Sequence, residues 1–166
     1  IRLRYTGLVV FASRVFSVLT GLIFVTMVTR NLSVADFGIW QYISLLLSYA
    51  VFPHGIVNYW ATRYVARKLQ VAKTGLILNI AFSLLGLVAL LLISPYAAET
   101  INANPTYFFI GSFTILAMYT MTSLEASAYG CAPEIAGYGS LVFEITKVLS
   151  GFVILFHLRT GLYGVI

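Results

Sequence analysis

Residues 75–94 read GLILNIAFSLLGLVALLLIS, without a single charge. About 20 mostly apolar residues are enough for a helix to cross the hydrocarbon of a bilayer, and this run has that length. Working outward, four more runs of the same kind occupy about residues 7–28, 37–61, 106–127 and 138–156, and another begins at 161–166. Hydrocarbon offers no partner to backbone N–H and C=O groups, so a spanning segment must be a helix or part of a closed barrel. Barrel strands read as alternating segments of about 10 residues, whereas these runs are continuous. The expected fold class is all-α, a polytopic membrane helix bundle.

Composition supports this. The chain is 60% hydrophobic and 9% charged, with a mean hydropathy of +0.95, where a soluble domain carries about 25% charged residues. The net charge of +5 does not indicate nucleic acid, because the basic residues sit between the spans, where they set topology. Cys131 is the only cysteine, which excludes an internal disulfide and a cysteine-based metal cluster. The two histidines are far apart in sequence, so no zinc site is expected. No cofactor is implied. The chain opens on Ile1 rather than methionine and stops inside an apolar run, so it reads as a piece of a longer protein. The first span is too long for a signal-peptide core.

Arg2 and Arg4 precede the first span, and Arg63, Arg67, Lys68 and Lys73 fill the link after the second. Arg30 and Asp36 share the first link, Glu99 stands in the third, and His157 with Arg159 follow the fifth span. By the positive-inside rule the N-terminus and the link 62–74 are cytoplasmic, in a multi-pass protein of the cytoplasmic membrane. Local signals mark the ends. Asn31-Leu32-Ser33 closes the first helix, and Ser33 with Asp36 caps the second. Ser94-Pro95 should end the third span. Asn104-Pro105 opens the fourth, and Pro133 with Gly137 marks the turn before the fifth.

The polar residues inside the spans carry the functional reading. Arg14 lies one-third of the way into the first span, where a cation costs several kcal/mol (about 3 on insertion scales) unless it faces a cavity, a partner or the interface. Gly7, Arg14, Ser17 and Gly21 fall within about 80° of one another at 100° per residue. The alternative is that Arg14 snorkels to the headgroups. In the second span, read as one helix, Gln41, Ser44, Ser48, Gly55, Asn58 and Thr62 project within about 60°. This stripe fits a wet cavity, with close helix packing as the alternative. Pro53 should kink that helix, and His54 beside it can act as a hinge residue or proton relay. Gly75, Asn79, Ser83 and Gly86 form a shorter stripe suited to packing. Glu144 and Lys147, three residues apart, can pair on one helix face, and Glu125 lies near the end of its span. No catalytic grouping, phosphate-cradling loop or acidic metal motif is visible, so no enzyme activity is expected.

Three stretches together resemble the oligosaccharide flippases of the multidrug/oligosaccharidyl-lipid/polysaccharide exporter superfamily. They are Ala12-Ser13-Arg14-Val15 with Val28-Thr29-Arg30-Asn31-Leu32-Ser33; Asp36-Phe37-Gly38-Ile39-Trp40, similar to an "EFGxY/W" helix opening; and Gly55 to Ala66, similar to a "GxxxxxxRyxA" ending. The resemblance implies that the chain is most of the first of two lobes in a MATE-like transporter. It also implies alternating access and a cargo of polyprenyl-diphosphate-linked oligosaccharide bound for surface polysaccharide. Arg14 matches a cavity arginine of the related lipid II flippases, whereas a second arginine of that branch is Thr20 here, which favours general polysaccharide export. On this reading Arg14 meets the diphosphate, and Ser17, Gln41, Ser44, Ser48 and Asn58 meet the cargo's polar groups. Implied partners are the lipid-linked cargo, membrane lipids, a coupling ion (H+ or Na+) and other polysaccharide-assembly proteins. A MATE-type multidrug or cation antiporter would want an acid on the first helix, which has none. A membrane glycosyltransferase or polymerase would want paired acids or a metal site.

Overall fold

The structure, a computed structural model, describes residues 3–158 and 161–166. Arg2 and Arg159 lie outside the described residues, as does the side chain of Arg4. Among the described residues six α-helices follow in order: α1 (Leu3–Asn31), α2 (Val34–Val51), α3 (His54–Ala66), α4 (Ala72–Thr100), α5 (Pro105–Cys131) and α6 (Pro133–Phe152). A π-helical turn (Val153–Leu158) extends α6, and a short 3-10 turn covers Gly161–Gly164. Among the described residues five stretches are long and apolar enough to cross a membrane: Tyr5–Asn31, Val34–Val51, Ala72–Thr100, Pro105–Cys131 and Pro133–His157. The chain is thus a helical, polytopic membrane bundle, as its hydropathy dictates. Its surface is correspondingly apolar, with Leu8, Phe11, Leu85, Leu92 and Val142 all exposed.

The chain divides into two compact units. Residues 1–38 with 132–165 form the first, and residues 39–131 with Ile166 form the second. In the first unit α1 packs along α6 and the turn after it. Small residues permit the approach: a Cβ on Gly137 would stand 3.0 Å from Val9 Cγ1, and one on Gly151 would stand 2.8 Å from the Phe24 ring. Gly137 therefore belongs to a helix interface rather than to the turn expected from sequence; α6 starts at Pro133, in the first-turn position that proline tolerates.

In the second unit α4 and α5 pack as the main pair, with α3 across both. Its core gathers Val51, Leu90, Ile115 and Tyr119 in one cluster and Ile43, Ala97, Ala98 and Phe108 in another. Two expectations fail here for physical reasons. Helix α4 does not end at Ser94-Pro95 but runs through Pro95 to Thr100. Burial of Ala97 and Ala98 beside Ile43 and Phe108 holds the extension, while the Ser94 hydroxyl donates to the Leu90 carbonyl at 2.7 Å. The second span is not one kinked helix: it breaks at Phe52-Pro53 into α2 and α3. At about 1.5 Å per residue the 13 residues of α3 cover roughly 20 Å, too short to cross alone. The caps behave as read. Ser33 Oγ accepts from the Asp36 N–H at 3.1 Å and donates to its carboxylate at 2.7 Å, and Asn104 Oδ1 accepts from the Thr106 N–H at 2.9 Å.

Candidate functional site

The first unit carries a polar cluster in the middle of its two spans. Spans Tyr5–Asn31 and Pro133–His157 have their midpoints at residues 18 and 145. Ser17 and Thr20 of α1 sit there, opposite Glu144 of α6. The Ser17 hydroxyl donates to Glu144 Oε1 at 2.7 Å and the Thr20 hydroxyl to Oε2 at 2.6 Å. Lys147 Nζ pairs with Oε2 at 2.5 Å. Glu144 is 6% exposed, which makes it the one buried acid among the described residues. The Lys147 ammonium also stands over the rings of Phe24 and Phe143, at 5.9 and 5.7 Å. An ionised carboxylate is tolerated at this depth because each of its oxygens is engaged. The Glu144–Lys147 pair follows from their spacing on α6. The two hydroxyls were not foreseeable from spacing, since they depend on which helix α6 meets.

Arg14 lies one turn before Ser17 on α1 and is exposed, between the exposed apolar residues Phe11 and Val15. Near the start of the same helices the Thr6 hydroxyl donates to Glu134 at 3.2 Å, and the Tyr5 and Tyr138 hydroxyls share a hydrogen bond. A cavity of about 290 Å³ lies at the other end of α1, lined by Asn31, Leu155, Phe156 and Gly161.

In the second unit the helix break divides the polar stripe. On α2, Gln41 and Ser48 are exposed and Ser44 is half-buried. The hydroxyls of Ser44 and Ser48 donate to the carbonyls one turn back, of Trp40 and Ser44, at 2.9 and 2.8 Å. On α3 the stripe residues turn to neighbours. Asn58 Oδ1 accepts from Asn79 Nδ2 of α4 at 2.7 Å, and the Thr62 hydroxyl donates to the Ala126 carbonyl of α5 at 3.0 Å. The shorter stripe on α4 packs, as expected: Asn79 and Ser83 are fully buried, and Gly75 and Gly86 face Ala61 and Ile115. The space between α2, α4 and α5 is about 10 Å³, room for no more than about one water.

The break itself is stitched by two side chains. Pro53 has no N–H, and the chain leaves α2 through Phe52 N–H to the Tyr49 carbonyl at 3.3 Å. Tyr119 of α5 donates its hydroxyl to the Ala50 carbonyl at 3.0 Å. His54 Nδ1 meets the Val51 carbonyl at 2.5 Å, with its ring edge-on to Tyr119 at 6.0 Å. His54 thus carries the Nδ1 proton and serves as a cap for the broken end of α2.

Among the described residues no three His, Cys, Asp or Glu side chains gather as metal ligands. Comparisons with family models, with curated proteins and with solved structures return no match.

Proposed function

We propose that this chain is the first-lobe portion of a flippase that moves polyprenyl-diphosphate-linked oligosaccharide across the cytoplasmic membrane by alternating access. The observation that carries the reading is a polar exposed face on a helix otherwise suited to lipid. Gln41 and Ser48 are exposed on α2, which is apolar enough to span a membrane. Lipid does not solvate the Gln41 amide, whereas a sugar's hydroxyls would; the Ser48 hydroxyl already donates to the Ser44 carbonyl. Arg14, exposed on α1, supplies a planar cation of the kind that binds phosphate in two places. The motif resemblance of residues 12–33, 36–40 and 55–66 supports the same cargo. Ser17 and Asn58 contribute less directly, because their polar atoms already bond Glu144 and Asn79.

A cationic cargo, as in the multidrug reading, would want a free carboxylate at mid-membrane. Glu144 is at that depth, but Lys147 neutralises it, which favours the anionic cargo.

The test is transbilayer movement of a fluorescent polyprenyl-diphosphate oligosaccharide in proteoliposomes holding the full-length protein. Arg14→Ala should abolish movement without lowering the amount of inserted protein. Arg14→Lys should keep part of it, since charge survives and the two-pronged geometry does not. Full activity of the Ala variant would remove the phosphate role and leave Arg14 as a residue that reaches the headgroups.

A further inference from the structure

We propose that Glu144 is a reversible proton-binding site at the middle of the membrane, with the Thr20 hydroxyl as its switch and the Lys147 ammonium as its internal counter-cation. The argument stands on the packing of α1 against α6 and holds for any cargo.

A buried carboxylate that must exist in two protonation states needs partners for both. The Thr20 hydroxyl has one hydrogen and three acceptors within reach: Glu144 Oε2 at 2.6 Å, and the carbonyls of Phe16 at 3.0 Å and Ser17 at 3.1 Å. With Glu144 ionised, that hydrogen goes to Oε2. When a proton from water binds Oε2, the new O–H donates to Thr20 Oγ1, and the Thr20 hydrogen turns back to the Phe16 carbonyl. Ser17 keeps donating to Oε1 at 2.7 Å in both states. No heavy atom of α1 moves, and the two hydroxyls and both carboxyl oxygens keep a partner.

Lys147 has the same provision. On protonation it loses its ion pair, and the cluster goes from neutral to a charge of one. The ammonium already stands over the faces of Phe24 and Phe143, 5.9 and 5.7 Å away, so it keeps two cation–π contacts. Lys147 is 26% exposed in its side chain against 8% for Glu144, so it is also the partner with a route out of the cluster.

The other ionisable groups on the packed elements, Arg14 apart, lie towards the helix ends. On α1, Arg14 lies one turn before Ser17, with Tyr5 and Arg30 towards the two ends. On α6, Glu134 and Tyr138 belong to the first turns, bonded to Thr6 and Tyr5. His157, in the turn after α6, is exposed.

The experiment is infrared difference spectroscopy of the full-length protein in lipid nanodiscs, following the protonated-carboxyl stretch as pH is lowered from about 9 to about 2, a range that brackets ordinary and lowered carboxyl titration. A band present in wild type and missing from Glu144→Gln is expected. Thr20→Val should move that band's midpoint up by at most about one pH unit, because of the two hydrogen bonds lost the one to the ionised form is the stronger. Thr20→Ser should return it. Lys147→Met should leave the band present across the whole range. Valine and methionine suit a membrane helix, so these variants report even if Glu144→Gln fails to insert. A wild-type spectrum with no band dependent on Glu144, or a Thr20→Val midpoint equal to wild type, would overturn the proposal.

Discussion

Glycine placement shows most directly how single residues hold this bundle together. In membranes, helices associate through close packing rather than through apolar burial, and small residues set the distance. Gly130 of α5 faces α3 so closely that a Cβ would meet Val65 Cβ at 2.8 Å and the Thr62 carbonyl oxygen at 2.9 Å. The second of these is backbone and cannot rotate away. Gly139 of α6 has nothing within 4 Å of the same position. Gly130→Ala should therefore destabilise the protein by about 1–3 kcal/mol, the cost of overpacking. Gly139→Ala should be neutral or stabilising by up to about 1 kcal/mol, from helix propensity. Thermal unfolding of the two variants in one detergent, read by loss of helical signal, compares them directly, and equal melting temperatures would contradict the packing argument. Sequence spacing alone pointed to Gly75 and Gly86 as packing glycines, and they are. It could not mark Gly130, which stands in no stripe and is set by where α3 crosses α5.

The break between α2 and α3 is where the secondary structure departs furthest from a helical-wheel reading. Pro53 announces a disturbance, and a simple kink is the usual result. Here two carbonyls near the end of α2, of Ala50 and Val51, take donors from Tyr119 and His54, which stabilises the break. Once the helix stops, the 60° stripe calculated along one axis no longer describes a single face. Gln41, Ser44 and Ser48 remain together on α2, whereas Asn58 and Thr62 follow α3 into contact with α4 and α5. Tyr119→Phe deletes only the hydroxyl and leaves the Ala50 carbonyl without its donor. It should cost about 1–2 kcal/mol and increase hydrogen exchange at residues 50–55 more than elsewhere. His54→Ala should act on the same residues. Uniform exchange across α2, α3 and the break in both variants would show that these side chains do not hold it. The position of the break was legible at Pro53. The donor that holds it from α5 was not, because Tyr119 lies 66 residues further along the chain.

Across the whole chain, charge decides orientation, because hydropathy is the same from either side. Between Asp36 and Glu99 there is no acidic residue, and Arg63, Arg67, Lys68 and Lys73 all fall within that stretch. The structure places Arg63 in the last turn of α3 and the other three around the link to α4, with all four side chains exposed. Arg63 bonds the Tyr59 hydroxyl at 2.9 Å and lies over its ring at 5.2 Å. With exposed Trp60 stacked on Tyr64, this end of α3 has the aromatic and basic character of a membrane–water boundary. Lys68 even adopts a positive φ of 63°, a backbone region usually given to glycine, so the sharp turn keeps a cation where a glycine would be easier. We expect the link to face the cytoplasm. Gln70→Cys, in a chain with Cys131→Ser, should not react with a membrane-impermeant maleimide added outside intact cells, and should react once the membrane is opened. Converting Arg63, Arg67, Lys68 and Lys73 to glutamine should then let a fraction of molecules insert the other way, so that external labelling rises. Labelling of position 70 from outside with all four cations in place would invert the topology.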